Sequence, residues 1–381
     1  MISVITLLGI AQGFFLGFYF IVQKMRNQRA NKIVGIMFIS FSVSITHFYF
    51  LRTGLYYQFP HFMGISNTVL FLFGPLFYFY VKLLIDRNYK FRRKDALHFI
   101  PFVLCCIYII PFLAKSGEEK LRYLNHGMYA ERIYDYFIAV SQIILLFIYL
   151  YLIRRMLKRH NIRLRNNASS VEKIDLAWIN KGIFCFLATF GVMTVLIIFQ
   201  IMGYNTESIF QVLIPLMVST VIFAMGFLGL RQQEIPVLDG TVEEEEEEEL
   251  QPVQKKYEKS TLTPEKADEY LENLKCTMER EKPFLDPELT LQRLSEMLSV
   301  QPHHLSQVMN EKLNMSFFDF VNSYRVNEAK HLLISPDKSH LTVLAIAGEA
   351  GFNSKSAFNT AFKKFTGLTP TEYRRQTNAA A

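Results

Sequence analysis

Seven runs of mostly apolar residues, near 2–22, 33–51, 62–85, 97–113, 133–153, 179–201 and 209–229, constrain this chain more than any other feature. Each is close to the roughly 20 residues that a helix needs to cross a bilayer's hydrocarbon. Lipid offers an open backbone no hydrogen-bond partner, so a spanning run must be a helix that satisfies its own amides. The competing reading is a soluble core of seven buried helices, and loop charge argues against it. Lys24, Arg26, Arg29 and Lys32 follow the first run, and Arg87, Lys90, Arg92, Arg93 and Lys94 follow the third. Arg154, Arg155, Lys158, Arg159, Arg163, Arg165 and Lys173 follow the fifth. The second loop holds Arg52 alone, the fourth sets its bases against Glu118, Glu119 and Glu131, and the sixth holds no base. Odd loops therefore face the cytoplasm. The first run has no base before it and a basic cluster after it, the reverse of a cleaved secretory signal, so it reads as a retained anchor with its N-terminus outside. Seven crossings from there deliver the C-terminal part to the cytoplasm.

Composition supports the division. The chain is 51% hydrophobic with 35 Phe and 19 Tyr, and these crowd into residues 1–230. The formal charge of +7 does not itself indicate a nucleic-acid partner: the excess sits in the loops between apolar runs, and from Thr263 onward acids and bases roughly cancel. Cys105, Cys106 and Cys185 lie in apolar runs and Cys276 in the polar part, with no C-x-x-C pair, so they read as small buried residues. The chain contains no metalloprotease, P-loop or kinase motif, and an enzyme is not expected. Ionisable groups, which mark ion paths inside a membrane, are nearly absent from the runs. Among the few polar residues there, His47, Asn67 and Gln142 are the candidates for a signal pocket. Their alternative role is helix–helix hydrogen bonding.

Residues 231–263 form an acidic linker containing the unbroken run Glu243 to Glu249 between Pro236 and Pro252, a composition that repels itself and stays disordered. A decoy role, with the run occupying DNA-facing bases, is the sharper alternative to a plain spacer. A helix over Pro264 to Glu281 then leads into a soluble domain at 264–375, and 376–381 reads as a disordered tail.

Within that domain, Thr342 begins a short amphipathic helix with Val343, Ile346 and Ala350 on one face. Gly351 supplies the left-handed residue that ends it, and Phe352 plugs the core. Ser354 is placed to cap a second helix whose inner face is Phe358, Ala361, Phe362 and Phe365. Gly367 ends that helix. Two short helices across a tight turn, the second polar and basic outside, match the helix-turn-helix plan. An earlier stretch repeats it: Leu294, Ser295, Val300, Leu305, Met309 and Phe320 correspond to Ile346, Ala347, Phe352, Phe358, Phe362 and Tyr373, at an offset of about 52. The two units run over about 289–312 and 342–366. A continuous helix over Ser316 to Ile334 joins them, and about 18 residues at 1.5 Å each span roughly 27 Å. Outward positions are His303, Ser306, Gln307 and Asn310 in the first unit, and Lys355, Ser356, Asn359, Thr360 and Lys363 in the second. Gln and Asn suit adenine's N6/N7 edge and Lys suits guanine's O6/N7. His303 and His304 are neighbours that point apart, so no metal is expected.

The stretch IAGEAGFNSKSAFNTAFKKFTGLTPTEYR resembles the C-terminal signature of the AraC/XylS family of bacterial transcription regulators, and the resemblance covers Leu289 to Arg375. Ala357 departs from the pattern, which often has an aromatic residue there. The resemblance implies a tandem helix-turn-helix fold that binds double-stranded DNA without a cofactor. It places base contacts on the N-terminal halves of the recognition helices, on His303, Ser306, Gln307, Lys355, Ser356, Asn359 and Thr360. Asn310, Lys363, Lys364, Arg374 and Arg375 are then the candidates for phosphates. The whole is expected to be all-α: a seven-helix transmembrane bundle in a bacterial inner membrane, followed by an AraC-type DNA-binding domain. Candidate partners are DNA, the lipid bilayer, an unidentified signal and a second copy of the chain. The alternative is a membrane receptor or transporter-like protein whose cytoplasmic tail docks a protein.

Overall fold

The computed structural model describes residues 2–23, 27–125, 132–171, 176–231 and 262–380. The acidic run Glu243 to Glu249 lies outside them. Regular structure among the described residues is helical, apart from one isolated bridge between Ala168 and Thr290. The chain forms two compact units. One contains residues 2–157 and 176–231, and the other contains 158–171 and 262–380. Hydropathy alone assigned 158–171 to the first unit.

The first unit comprises α1 (Ile2–Val22), α2 (Gln28–Thr53), α3 (Ile65–Val69), α4 (Phe73–Ile85), α5 (Ile100–Leu113), α6 (Gly117–Asn125), most of α7 (Arg132–Asn167), α8 (Ala177–Ile201) and α9 (Glu207–Arg231). Small residues let α1 approach its neighbours: a Cβ on Gly17 would stand 2.9 Å from the Gly35 carbonyl of α2, and one on Gly13 would meet the Ser42 hydroxyl. Backbones this close gain packing that lipid does not supply. The centre is aromatic, with the Phe41 ring 4.3 Å from Phe73 and Phe186 within 5.8 Å of Phe41. Outward positions are also apolar: Phe15, Phe137 and Phe184 are each more than two-thirds exposed.

Six helices among the described residues are long and apolar enough to cross a membrane. The expected third span, 62–85, is instead broken into α3, a 3-10 turn at Leu70–Leu72, and α4. Pro75 accounts for the break, because it has no N–H and its ring displaces the carbonyl four residues back, at Phe71. What remains is nearly encased, with Phe73, Leu76, Phe77, Phe79, Tyr80, Val81 and Leu83 all buried. The loops flanking this broken segment sit at opposite ends of the unit. On one side, Tyr57 donates to Asn125 at 2.8 Å, and Lys120 lies 3.4 Å from His61. On the other, Asn27 donates to the Leu83 carbonyl at 2.8 Å and Arg29 to that of Tyr89 at 3.2 Å. The second loop thus meets the fourth, and the first meets the end of α4 and the third.

The second unit comprises α10 (Pro264–Arg280), α11 (Leu291–Leu298), α12 (Pro302–Lys312), α13 (Phe317–Ile334), α14 (Val343–Glu349), α15 (Lys355–Thr366) and α16 (Pro370–Ala380), with the end of α7. It has two cores, one for each repeat. Leu294, Leu305, Met309, Phe317, Phe320 and Val321 form the first. Val326, Ala329, Leu333, Ile346, Phe358 and Phe362 form the second. Successive stretches of the single helix α13 supply both, which is why it is continuous. Residues 376–380 extend α16 and are not a disordered tail. That helix starts on a reciprocal cap between Thr369 and Glu372, and Tyr373 packs its ring 5.4 Å from Phe362.

Candidate nucleic-acid interface

The turn in each repeat needs a left-handed residue. Gly351 has φ +87°, and a Cβ there would stand 2.4 Å from the Phe284 carbonyl, so glycine is required both by conformation and by close approach. The equivalent residue in the first repeat is Ser299, which holds φ +54° despite its side chain. Caps then start the helices: Thr290, Ser316, Thr342 and Ser354 each accept a backbone N–H three residues on. Gly367, with φ +77°, closes α15.

On α15, Phe358, Ala361 and Phe362 are buried. Lys355, Ser356, Thr360 and Lys363 are exposed and Asn359 half-buried, so the five predicted positions share the outward side. Asn359, Thr360, Lys363, Lys364 and Thr369 line one shallow depression on it. The Lys364 ammonium is also 2.7 Å from the Asp319 carboxylate of α13. Arg375 is exposed. Arg374 is committed elsewhere: its guanidinium donates to the carbonyls of Leu341 and Ser339 at 2.8 Å and of Lys338 at 3.2 Å, tying α16 to the loop before α14.

On α12, His303 is exposed and Ser306 and Asn310 are half-buried, with Asn310 donating to the Ser306 carbonyl at 2.8 Å. Gln307 departs from expectation. It is buried and donates to Glu311 at 3.1 Å. The reason is α10, which packs along α12: Tyr270 meets His304, and Asp268 pairs with Lys312. A bare two-helix pattern does not contain this third helix, and Gln307 borders the covered side. Burial, with His303 and Lys266 nearby, holds the His304 imidazole below its usual range.

Sequence reasoning passed over Arg325, which is 1% exposed. Its Nε donates to the Phe284 carbonyl at 2.7 Å, and Nη2 to that of Asp286 at 2.7 Å. Nη1 donates to the Ser169 carbonyl at 2.9 Å and Nη2 to the Ser169 hydroxyl at 3.0 Å. Ser169 belongs to the segment after α7 and donates its backbone N–H to the Leu289 carbonyl, while Arg165, in the last turn of α7, lies 5.1 Å from the Phe318 ring. The available signal was an arginine inside an otherwise apolar stripe of α13.

In the first unit, His47 and Gln142 line one cavity, and the side chain of Asn67 lies outside the described part.

Residues 294–376 match a family model described as a helix-turn-helix domain. The chain is 34% identical over 91 residues to the uncharacterized HTH-type transcriptional regulator YtdP of Bacillus subtilis (strain 168), covering 24% of this chain and 11% of that one. It is 38% identical over 87 residues to an uncharacterized HTH-type transcriptional regulator of Staphylococcus aureus (strain COL), covering 23% and 11%. It is 29% identical over 90 residues to the melibiose operon regulatory protein of Escherichia coli (strain K12), covering 24% and 29%. The chain therefore spans about a tenth of the length of the first two relatives. Among solved structures, the C-terminal domain of AraT, a response regulator from Geobacillus stearothermophilus, is 32% identical and covers 31% of this chain and 88% of that one, with a TM-score of 0.25.

Proposed function

We propose that this protein is a membrane-embedded transcription regulator that binds DNA in the cytoplasm through its second unit and senses a signal through its first. One observation carries the DNA-binding reading. Two helix-turn-helix repeats with separate cores hang from the single helix α13, and each keeps polar residues on the outward face of its second helix. Relatives named as HTH-type transcriptional regulators, and one named as an operon regulatory protein, agree with it. The 18 residues of α13 extend roughly 27 Å, which suits two recognition helices in successive major grooves about 34 Å apart. His303, Ser306, Lys355, Ser356, Asn359 and Thr360 then read bases, while Lys363 and Arg375 hold phosphates. Gln307 and Arg374 serve the fold.

Membrane embedding is supported by the six apolar helices and by aromatic side chains exposed around the first unit, a surface that water does not tolerate over such an area. We read the broken α3–α4 segment as a seventh crossing, since its flanking loops lie at opposite ends. With the basic odd loops inside, the second unit is cytoplasmic. Selection of genomic fragments by the full-length protein in nanodiscs, followed by gel shifts across salt, tests the proposal. The expected result is a subset of fragments retained with affinity that falls steeply as salt rises. Indifference to every duplex rejects it.

A further inference from the structure

Arg325 stands where the two repeats meet. Tyr324 before it packs on the first core, and Val326 after it belongs to the second. Its guanidinium bonds the Phe284 and Asp286 carbonyls of the first repeat and lies 5.8 Å from the Phe352 ring of the second. Residues 168–170 dock on this junction. The Ser169 carbonyl and hydroxyl accept from Arg325, its N–H donates to the Leu289 carbonyl at 3.2 Å, and Ala168 bridges to Thr290, the cap of α11. The Ser170 hydroxyl accepts from the Asn353 amide at 2.5 Å, one residue before the Ser354 cap of α15. Three consecutive residues thus hold the first helix of one repeat and the turn of the other.

Two observations make this more than local packing. The docked residues follow directly on α7, which runs unbroken from Arg132 to Asn167 and, among the described residues, alone contributes to both units. Its earlier turns supply Ile143, Leu150, Ile153 and Leu157 to the core of the first unit. Only Ala168 separates its end from the residue that Arg325 holds. The second observation is position in the sequence. Residues 168–170 lie outside the 294–376 match to the helix-turn-helix model, so they are an addition to the matched domain and no part of it.

We propose that residues 168–170 are a clasp through which the end of α7 fixes the angle and spacing of the two repeats, and so sets the affinity for a duplex that both must grip. This rests on reading the second unit as a DNA-binding domain, and it supplies the route by which α7 controls that domain. With the clasp seated, the two recognition helices act as one fixed pair, and the second engages at high effective concentration once the first is bound. With the clasp out, Arg325 keeps its bonds to the first repeat and each repeat keeps its own core. Their mutual orientation is what loosens.

The test uses the full-length protein in phosphatidylcholine nanodiscs. The probes are a footprinted duplex retained in the genomic selection and the same duplex with one of its two protected grooves scrambled. Ser169→Lys opens the clasp: Ser169 is 1% exposed and bonded to Arg325, so a second cation there cannot stay docked. The ratio of affinities for intact over scrambled duplex should fall about tenfold, within the ordinary range of coupling energies, with scrambled-duplex binding kept. Coupling is reciprocal, so in wild type the intact duplex should slow hydrogen exchange in peptides covering 158–170, and the scrambled one should not. Helical circular dichroism confirms that Ser169→Lys is folded; if it is not, the wild-type exchange decides. Equal losses on both duplexes, an unchanged or raised ratio, a footprint confined to one groove, or exchange at 158–170 that ignores the intact duplex each overturn the clasp. Wild type that retains no duplex at all rejects the DNA-binding reading itself. Failure of the clasp alone leaves the wild-type preference for the intact duplex and removes its dependence on residue 169.

Discussion

Replacing Arg325 with Met keeps most of the buried stem's volume but removes every hydrogen bond that the guanidinium makes. Three carbonyl oxygens, of Phe284, Asp286 and Ser169, lose a donor at 2.7 to 2.9 Å in an interior where Arg325 is 1% exposed. A hydrogen bond to a charged group contributes about 1.5–3 kcal/mol net, and an orphaned buried acceptor costs about 1–3 kcal/mol. The contributions do not add, because relief from burying the cation offsets part of the loss and water can reach some of the carbonyls. A total of about 3–5 kcal/mol follows. Native-state hydrogen exchange of the full-length protein in detergent, followed in peptides from α13 and α14, reads this as opening. At 1.4 kcal/mol for each factor of ten, exchange should accelerate roughly a hundred- to several-thousand-fold. Ser169→Ala removes one contact, at 3.0 Å, and should accelerate exchange only about fivefold, or about 1 kcal/mol. In the Arg325→Met background Ser169→Ala should add almost nothing, because the two share a bond. Acceleration below about fivefold in Arg325→Met would refute the idea that this side chain organises the second unit.

Ser299 holds φ +54°, a conformation that costs an L-residue about 1 kcal/mol or more, so Ser299→Gly should raise the stability of the first repeat by about 0.5–1 kcal/mol in the same exchange experiment. Lys363→Gln should lower DNA affinity on all sequences alike and reduce the slope of log affinity against log salt by about 1, as for one lost phosphate contact. Arg374→Gln should instead leave that slope unchanged and loosen α16, about 1–3 kcal/mol in exchange protection, because it frees carbonyls of the 338–341 loop. Hydrogen bonds from Thr369's backbone and hydroxyl hold the Glu372 carboxyl below its ordinary value in the folded state. Its contribution is therefore present above the unfolded pKa and is lost as pH falls through the folded one. Melting of α16 followed by exchange at pH 3 to 6 should show this acid-side loss in wild type, and Glu372→Gln should abolish it.

Local patterns in the sequence determined the helices and most of their ends. Apolar period and length mark the spans, Ser354 caps α15 through the Ala357 N–H as its position predicts, and Gly351 and Gly367 take the left-handed backbone that only their lack of a Cβ makes easy. The two repeats were legible for the same reason, since Leu294 and Ile346, or Met309 and Phe362, serve the same position in matching cores. Other features had no local signature. Pro75 reads as one proline in an apolar run until the chain around it shows a broken, encased helix. Gln307 reads as outward until α10 comes to lie alongside α12. The hydrogen bonds between Arg325 and Ser169 join residues 156 apart in sequence. Periodicity reports which face of a helix is apolar, because that depends on residues three and four apart. What comes to rest against the face depends on distant parts of the chain, and that was decided only by the tertiary structure.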